Sequence, residues 1–364
     1  MTWARRRSPT WSPSIVVAGG ILAICQVLPG RVGSDLQRDS RCVRRLNKDD
    51  WGTSTLKASI LVHGGADTPL EGGARDGVVN AVNAGIKFPN SAMEMVQAAI
   101  RSLKDDGHYG AGAGSPLGVD GKVSLTANIM DGKTLNSGGV VLITGVKNPI
   151  FVARKVMEAT DNRILAGEFA TQFAHAFGFE DREGVNAARF REYKALKEQL
   201  KLSQQLDYLV KWPKLRELIR KNPKLFGLDT VGAVTIDRHG NMAAAGSSGG
   251  LTLQLPGRIN DLAIIGAGIF ADNKLGAVAV TGLGEFSIKY GVAREVCRLM
   301  KTGLSPRSAA SKIIKIATKE DVPLGVIAMT RNGTWGLDWN SLPVMAHCHL
   351  TEGGQPEFDL KRRT

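Results

Sequence analysis

Apolar residues fall along this chain in two rhythms. Short unbroken runs, Ser59-Ile60-Leu61-Val62 and Val140-Val141-Leu142-Ile143, have the length and β-branched content of buried strands. Strands are also predicted over 122–125, 230–237, 241–248, 325–329 and 334–337. The other rhythm is helical and predicts helices over 75–88, 91–105, 151–160, 165–178 and 285–302. In the second of these, Met93, Val96, Ile100 and Leu103 recur at helical spacing and mark one buried face. Ser305 followed by Pro306 is an N-cap with proline at the first helical position, so a further helix begins there. Strands and helices in both halves, joined by short connections, predict stacked layers of sheet and helix.

Residues 186–226 break the pattern. They are rich in Lys and Arg and nearly free of glycine, and Pro213 and Pro223 interrupt them. No core-forming period survives, so this stretch reads as a helical hairpin or mobile linker inserted between two halves. Directly after it the composition turns to Gly, Ala, Val and Thr, and Asp229-Thr230 stands at that junction.

Charge adds less than its total suggests. The formal net charge is +13, but residues 1–50 contribute +5 and residues 189–224 contribute +7, leaving about +1 for the rest. A tail and one insert carry the excess, so no nucleic-acid partner is expected of the core. Cys25, Cys42, Cys297 and Cys348 form no CxxC pair and no disulfide framework. His347 and His349 would share one face of a strand, but a third spaced ligand is missing, and no catalytic metal is expected. Near the start, Arg5-Arg6-Arg7 precedes an apolar stretch from Ile15 to Leu28. That stretch is short for a stable membrane span and fits a signal-peptide core. The expected destination is the secretory pathway or a lysosome-like compartment, with mitochondrial and cytoplasmic locations left open.

The chemistry gathers where the insert ends. If the turn after 230–237 centres on His239, Thr230 faces Ser248 across the ladder, close enough for their hydroxyls to interact. A threonine hydroxyl is a weak nucleophile at neutral pH and needs a base beside it. An N-terminal threonine carries its own, because an α-amine titrates near pH ~8. Such an amine exists only after a cut between Asp229 and Thr230, and a flexible insert ending at a strand that begins with Thr is the arrangement this requires.

Several motifs then align with one family. Asp229-Thr230-Val231-Gly232-Ala233-Val234, Gly240-Asn241 and Ser247-Ser248-Gly249-Gly250 resemble the N-terminal-nucleophile (Ntn) asparaginases. So do Gly257-Arg258-Ile259-Asn260-Asp261, Gly266-Ala267-Gly268, Ala271-Asp272-Asn273 and Thr281-Gly282-Leu283-Gly284-Glu285. In the first half His63-Gly64-Gly65, Ile129-Met130-Asp131-Gly132-Lys133 and Lys147-Asn148-Pro149 fit as well. The resemblance spans roughly 58–185 and 228–345. It implies an α/β fold, the four-layer αββα sandwich of Ntn hydrolases, cleaved by the chain itself into two fragments. Residues 1–55 would be a targeting segment and linker, 56–229 the first fragment with its insert, and 230–364 the second.

The same resemblance implies roles. Thr230 performs autocleavage and attacks the substrate, with Ser248 as its supporting hydroxyl. Arg258 holds the substrate α-carboxylate and Asp261 its free α-amine. The Thr281 hydroxyl and the Gly282 N–H form the oxyanion hole, and Gly284 belongs to the substrate-binding turn. The implied reaction is hydrolysis of small β-aspartyl amides, as by an L-asparaginase or isoaspartyl dipeptidase. No cofactor is implied beyond an open question of a structural sodium ion near Gly64, and the implied assembly is a homodimer of two-fragment units.

Departures keep alternatives open. Asp229, where plant-type members carry Gly, resembles glycosylasparaginases and the threonine aspartases, which cut proteins after Asp. Asp261 argues against the latter, because a protein substrate has no free amine there. Gly110 stands where the branch has Asn. Gly246-x-Ser248-x-Gly250 also satisfies the serine-hydrolase elbow, but that motif needs a helix after the serine, and 252–256 is not helical. The non-enzyme alternative is an uncleaved relative that binds partners through its basic insert.

Overall fold

The computed structural model describes residues 16–18, 21–23, 56–181, 184–199, 230–341 and 344–360. In a unit of its own, β1 (Val16–Ala18) pairs antiparallel with β2 (Ile21–Ala23). The rest of the expected targeting segment, most of the insert and Asp229 lie outside the described residues.

The described residues from Leu56 onward form the second unit, a mixed α/β fold built on two sheets. The larger has seven strands. Its centre is β3 (Ser59–His63), β7 (Thr230–Ile236), β8 (Met242–Ser248) and β4 (Leu125–Asp131), flanked by β13 (His347–Thr351) on one side and by β5 (Ser137–Ile143) and β6 (Ile164–Ala166) on the other. All of its pairings are antiparallel except β5 with β6. The smaller sheet runs β12 (Trp335–Trp339), β11 (Leu324–Met329), β10 (Gly276–Gly282) and β9 (Ile269–Asp272).

Alternation along the central strands sorts the core into two clusters. Ile60, Val62, Val231, Ala233, Ala243, Ala245, Ala127 and Ile129 pack against α1 (Gly72–Gly85), α2 (Ala92–Asp106) and α3 (Pro149–Ala159). Leu61, Val234, Ile236, Met242 and Ala244 face the other way, onto Ala277, Val278, Ala279 and Val280 of the smaller sheet. The far side of that sheet is covered by α7 (Val292–Lys301) and α8 (Pro306–Lys319), through Val296, Ala309 and Ile313 among others. Alternate residues of these strands face two apolar layers, so both sides are buried, as in a sheet covered on each face.

The structure departs from the sequence expectations at four places. The strand predicted at 122–125 runs instead from Leu125 to Asp131, its register with β5 interrupted by a bulge between Leu125 and Ala127. The helix predicted over 285–302 is two helices, α6 (Gly284–Tyr290) and α7, because Gly291 sits at φ +57° in the left-handed region and ends the first. Strands β6, β9 and β10 were not foreseen: β6 takes the start of the helix predicted over 165–178, and β9 and β10 carry no alternating pattern and are buried along nearly their whole length. Finally, part of the insert does have a core. Helix α5 (Ala187–Gln199) buries Tyr193 and Leu196 against Leu117, Val119 and Leu253. Two anchors three positions apart leave most of that helix polar and exposed, which is why no period announced them. Ser305 does cap α8, accepting from the Ser308 N–H at 3.2 Å.

Candidate active site

The hairpin of β7 and β8 turns through Asp237, whose carboxylate accepts from the N–H groups of His239 and Asn241 at 2.9 Å. That Asx turn fixes the register, and the register pairs Thr230 with Ser248. Both side chains are buried, and the Thr230 hydroxyl donates to the Ser248 oxygen at 3.1 Å. Ser248 Oγ also accepts from the Gly250 N–H at 3.1 Å, so its position is set from two sides. Thr230 is the first residue of β7 and the first described residue after the insert.

From this pair a chain of polar contacts leads outward. The Gly249 N–H donates to the Gly110 carbonyl at 2.9 Å, a backbone contact that needs no asparagine side chain at Gly110. Gln254 Nε2 donates to the Gly249 carbonyl at 3.4 Å, while Gln254 Oε1 accepts from the Leu251 N–H and from Arg258 Nη1, each at 3.3 Å. Gln254 is carried on a tight turn in which Leu253 adopts φ +57° and donates its N–H to the Leu117 carbonyl at 2.7 Å. Burial of the Leu253 side chain under α5 offsets the cost of that left-handed backbone.

Arg258 continues the chain. Its Nε and Nη2 donate to the two carboxylate oxygens of Glu285 at 2.8 and 2.9 Å, a fork that fixes the plane of the guanidinium. Gly284 lies against both Arg258 and Asp261: a Cβ there would stand 2.9 Å from Asp261 Oδ1 and 3.4 Å from Arg258 Nη2. Asp261 itself is buried, and its Oδ2 has no hydrogen-bond partner among the described residues. Burial pushes its carboxyl up to about 6, against the opposing pull of Arg258 and of the Ser287 hydroxyl beside it. A buried carboxylate oxygen without a partner is costly unless a ligand cation completes it.

Thr281 closes the group. It is the last residue but one of β10, is fully buried, and its hydroxyl accepts from the Ala66 N–H at 3.1 Å, just beyond His63-Gly64-Gly65. Gly282 adopts φ +126°, and a Cβ there would stand 2.4 Å from the Pro323 carbonyl, so glycine is required. The two sheets touch where Gly232 meets Ala279, which places Thr230 and Thr281 each two residues from the same crossing. His63 packs on Gly232 as well. Its ring is buried beside the Thr230 backbone, and burial pushes it down to about 3, so it is neutral.

Thus Thr230 and Ser248 stand together, Gln254 links their loop to Arg258, and Gly284 joins Arg258 to Asp261. Gln254, Glu285 and His63 were missed as site residues. A lone glutamine in a loop carries no pattern, and Glu285 is visible only as the end of the Thr281–Glu285 motif. The serine-elbow alternative fails structurally, because after Ser248 no helix begins before the single turn at Asp261–Ala263.

The whole constellation lies within residues 56–356, and those residues match the family model described as asparaginase. The chain belongs to the asparaginase family. Similar members include a plant-type L-asparaginase of Pyrococcus abyssi, 40% identical over 82% of this chain and 98% of its own. The isoaspartyl peptidase/L-asparaginase of Xenopus laevis is 38% identical over 77% of this chain and 88% of its own, and that of Homo sapiens 34% over 78% and 90%. Within the asparaginase family, the match includes both halves of the fold and passes through the insert. Among the described residues, no helix is long and apolar enough to cross a membrane.

Proposed function

We propose that this asparaginase-family member is a self-processing threonine amidohydrolase for small β-aspartyl amides. The observation that carries the reading is the buried Thr230–Ser248 hydroxyl pair at 3.1 Å, at the first residue of a strand. In this account Thr230 Oγ first attacks the Asp229 carbonyl; the C–N bond breaks as the ester forms, which frees the Thr230 amine, and water then hydrolyses the ester to free the hydroxyl and separate the fragments. That amine then takes the hydroxyl proton as Oγ attacks the substrate amide carbon. Ammonia or an amino acid leaves with the proton, and water resolves the acyl-threonine to aspartate.

The remaining residues supply binding and charge stabilisation. Arg258, aimed by Glu285 and Gln254, meets the α-carboxylate, and the partnerless oxygen of Asp261 meets the α-ammonium. The Thr281 hydroxyl and Gly282 N–H receive the developing oxyanion. The helix–sheet–sheet–helix packing supports the αββα sandwich of Ntn hydrolases. A ligand with both α-groups free fits an asparagine or β-aspartyl dipeptide better than a protein loop, and the relatives' names point the same way.

A homodimer and a secretory or lysosome-like location remain proposals for the whole chain. Incubating purified protein with asparagine, a β-aspartyl dipeptide and glycosylasparagine tests the substrate class. Release of aspartate from the first two is expected; turnover of glycosylasparagine alone would contradict it.

A further inference from the structure

Asp261 opens a single 3-10 turn, Asp261–Ala263, which no helix or strand contains. So short an element has little rigidity of its own, and its surroundings must hold it. Three glycines let the turn settle closely. A Cβ at Gly268 would stand 2.6 Å from Leu262 Cα, one at Gly246 would stand 2.7 Å from Leu262 Cδ1, and one at Gly284 would crowd Asp261 itself. The Asp261 carbonyl accepts from the Gly268 and Ile264 N–H groups at 3.1 and 2.9 Å.

One side chain reaches the turn from the seven-stranded sheet. Asn128, fully buried in β4, donates its Nδ2 hydrogens to the carbonyls of Leu262 at 3.1 Å and Ala263 at 3.4 Å. Among the described residues its own Oδ1 has no hydrogen-bond partner. An apolar side chain would avoid that buried unpaired oxygen, so the asparagine carries a cost that its two donated bonds must justify. Reversing the amide would set oxygen against two carbonyls, which fixes its orientation. Gly139 makes the space: a Cβ there would lie 3.0 Å from Asn128 Nδ2.

We propose that Asn128 is a positioning residue for Asp261, holding the turn so that its carboxylate meets the substrate α-amine. The inference rests on the reading of Asp261 given above. Asn128 touches no substrate; it acts through the backbone of Leu262 and Ala263. Its effect therefore falls on recognition of the amine and not on Thr230.

The test uses the processed protein and two competitive inhibitors, aspartate, which has the α-amine, and succinate, which lacks it. Wild type is expected to prefer aspartate. Asn128→Leu, close in volume and without donors, is expected to lower that preference about five- to twentyfold through weaker aspartate binding, with succinate binding and kcat changed less than about twofold. Asn128→Ser, which keeps one donor, should fall between and decides the matter if the leucine variant does not fold. Equal weakening of both inhibitors, or no change in either, overturns the proposal. Asp261→Asn is run alongside: if it leaves the preference intact, the amine-binding role of Asp261 itself fails, whereas a collapse there with an unaltered Asn128→Leu overturns the positioning role alone.

Discussion

Thr230 faces Ser248 across the β7–β8 ladder, and its hydroxyl donates to the serine oxygen at 3.1 Å. Ser248 also accepts from the Gly250 N–H, so it acts as a fixed acceptor that sets the Thr230 rotamer. Ser248→Ala removes that acceptor and little volume. We expect kcat to fall about tenfold to a hundredfold with KM nearly unchanged, as for loss of one oriented hydrogen bond at a nucleophile. Steady-state kinetics on the processed variant checks this, and an unchanged kcat would remove Ser248 from the mechanism.

The raised carboxyl of Asp261 gives a pH dependence with a definite sign. Burial places it at about 6 in the free protein, so it loses its charge as pH falls through that value. An ammonium ligand needs the ionised form. Thus KM for amine-bearing substrates should rise about tenfold for each unit below pH ~6. Asp261→Asn should abolish this limb. A KM that stays flat from pH 7 to 5 would contradict the assignment.

Gly232 is the contact point of the two sheets two residues from Thr230. A Cβ there would stand 2.2 Å from His63 Nε2 and 2.9 Å from the Ala279 Cβ, so neither the imidazole nor the opposing strand leaves it room. Gly232→Ala is expected to cost about 1–3 kcal/mol of stability, seen as a lowered Tm or denaturation midpoint. Because Thr230 is two residues away on the same strand, slower self-cleavage should accompany the loss. A variant as stable as wild type would show that the sheets do not pack as tightly there as the structure has them.

These residues were not equally visible in the sequence. The Thr230–Ser248 pair followed from counting outward from His239, because a tight hairpin with an Asx turn permits one register. The family motifs named Arg258, Asp261, Thr281 and Gly282, yet gave no account of what holds them. Asn128 acts through backbone carbonyls of a turn distant in sequence, and Gln254 through bonds within its own loop, and such contacts leave no periodic trace. Nor did the charged stretch 187–199 disclose its anchors, since Tyr193 and Leu196 bury one short stripe on an otherwise solvated helix. The break at Gly291 was hidden because the apolar period continues on both sides of it.

The central claim is that Thr230 becomes an N-terminus and then the nucleophile. Purified protein run under denaturing conditions, with N-terminal sequencing of the smaller fragment, tests it most directly. The account predicts two fragments, the smaller beginning at Thr230, and a single uncleaved, inactive chain for Thr230→Ala. An uncleaved wild-type chain that hydrolyses asparagine, or a Thr230→Ala variant that still divides at this bond, would contradict it.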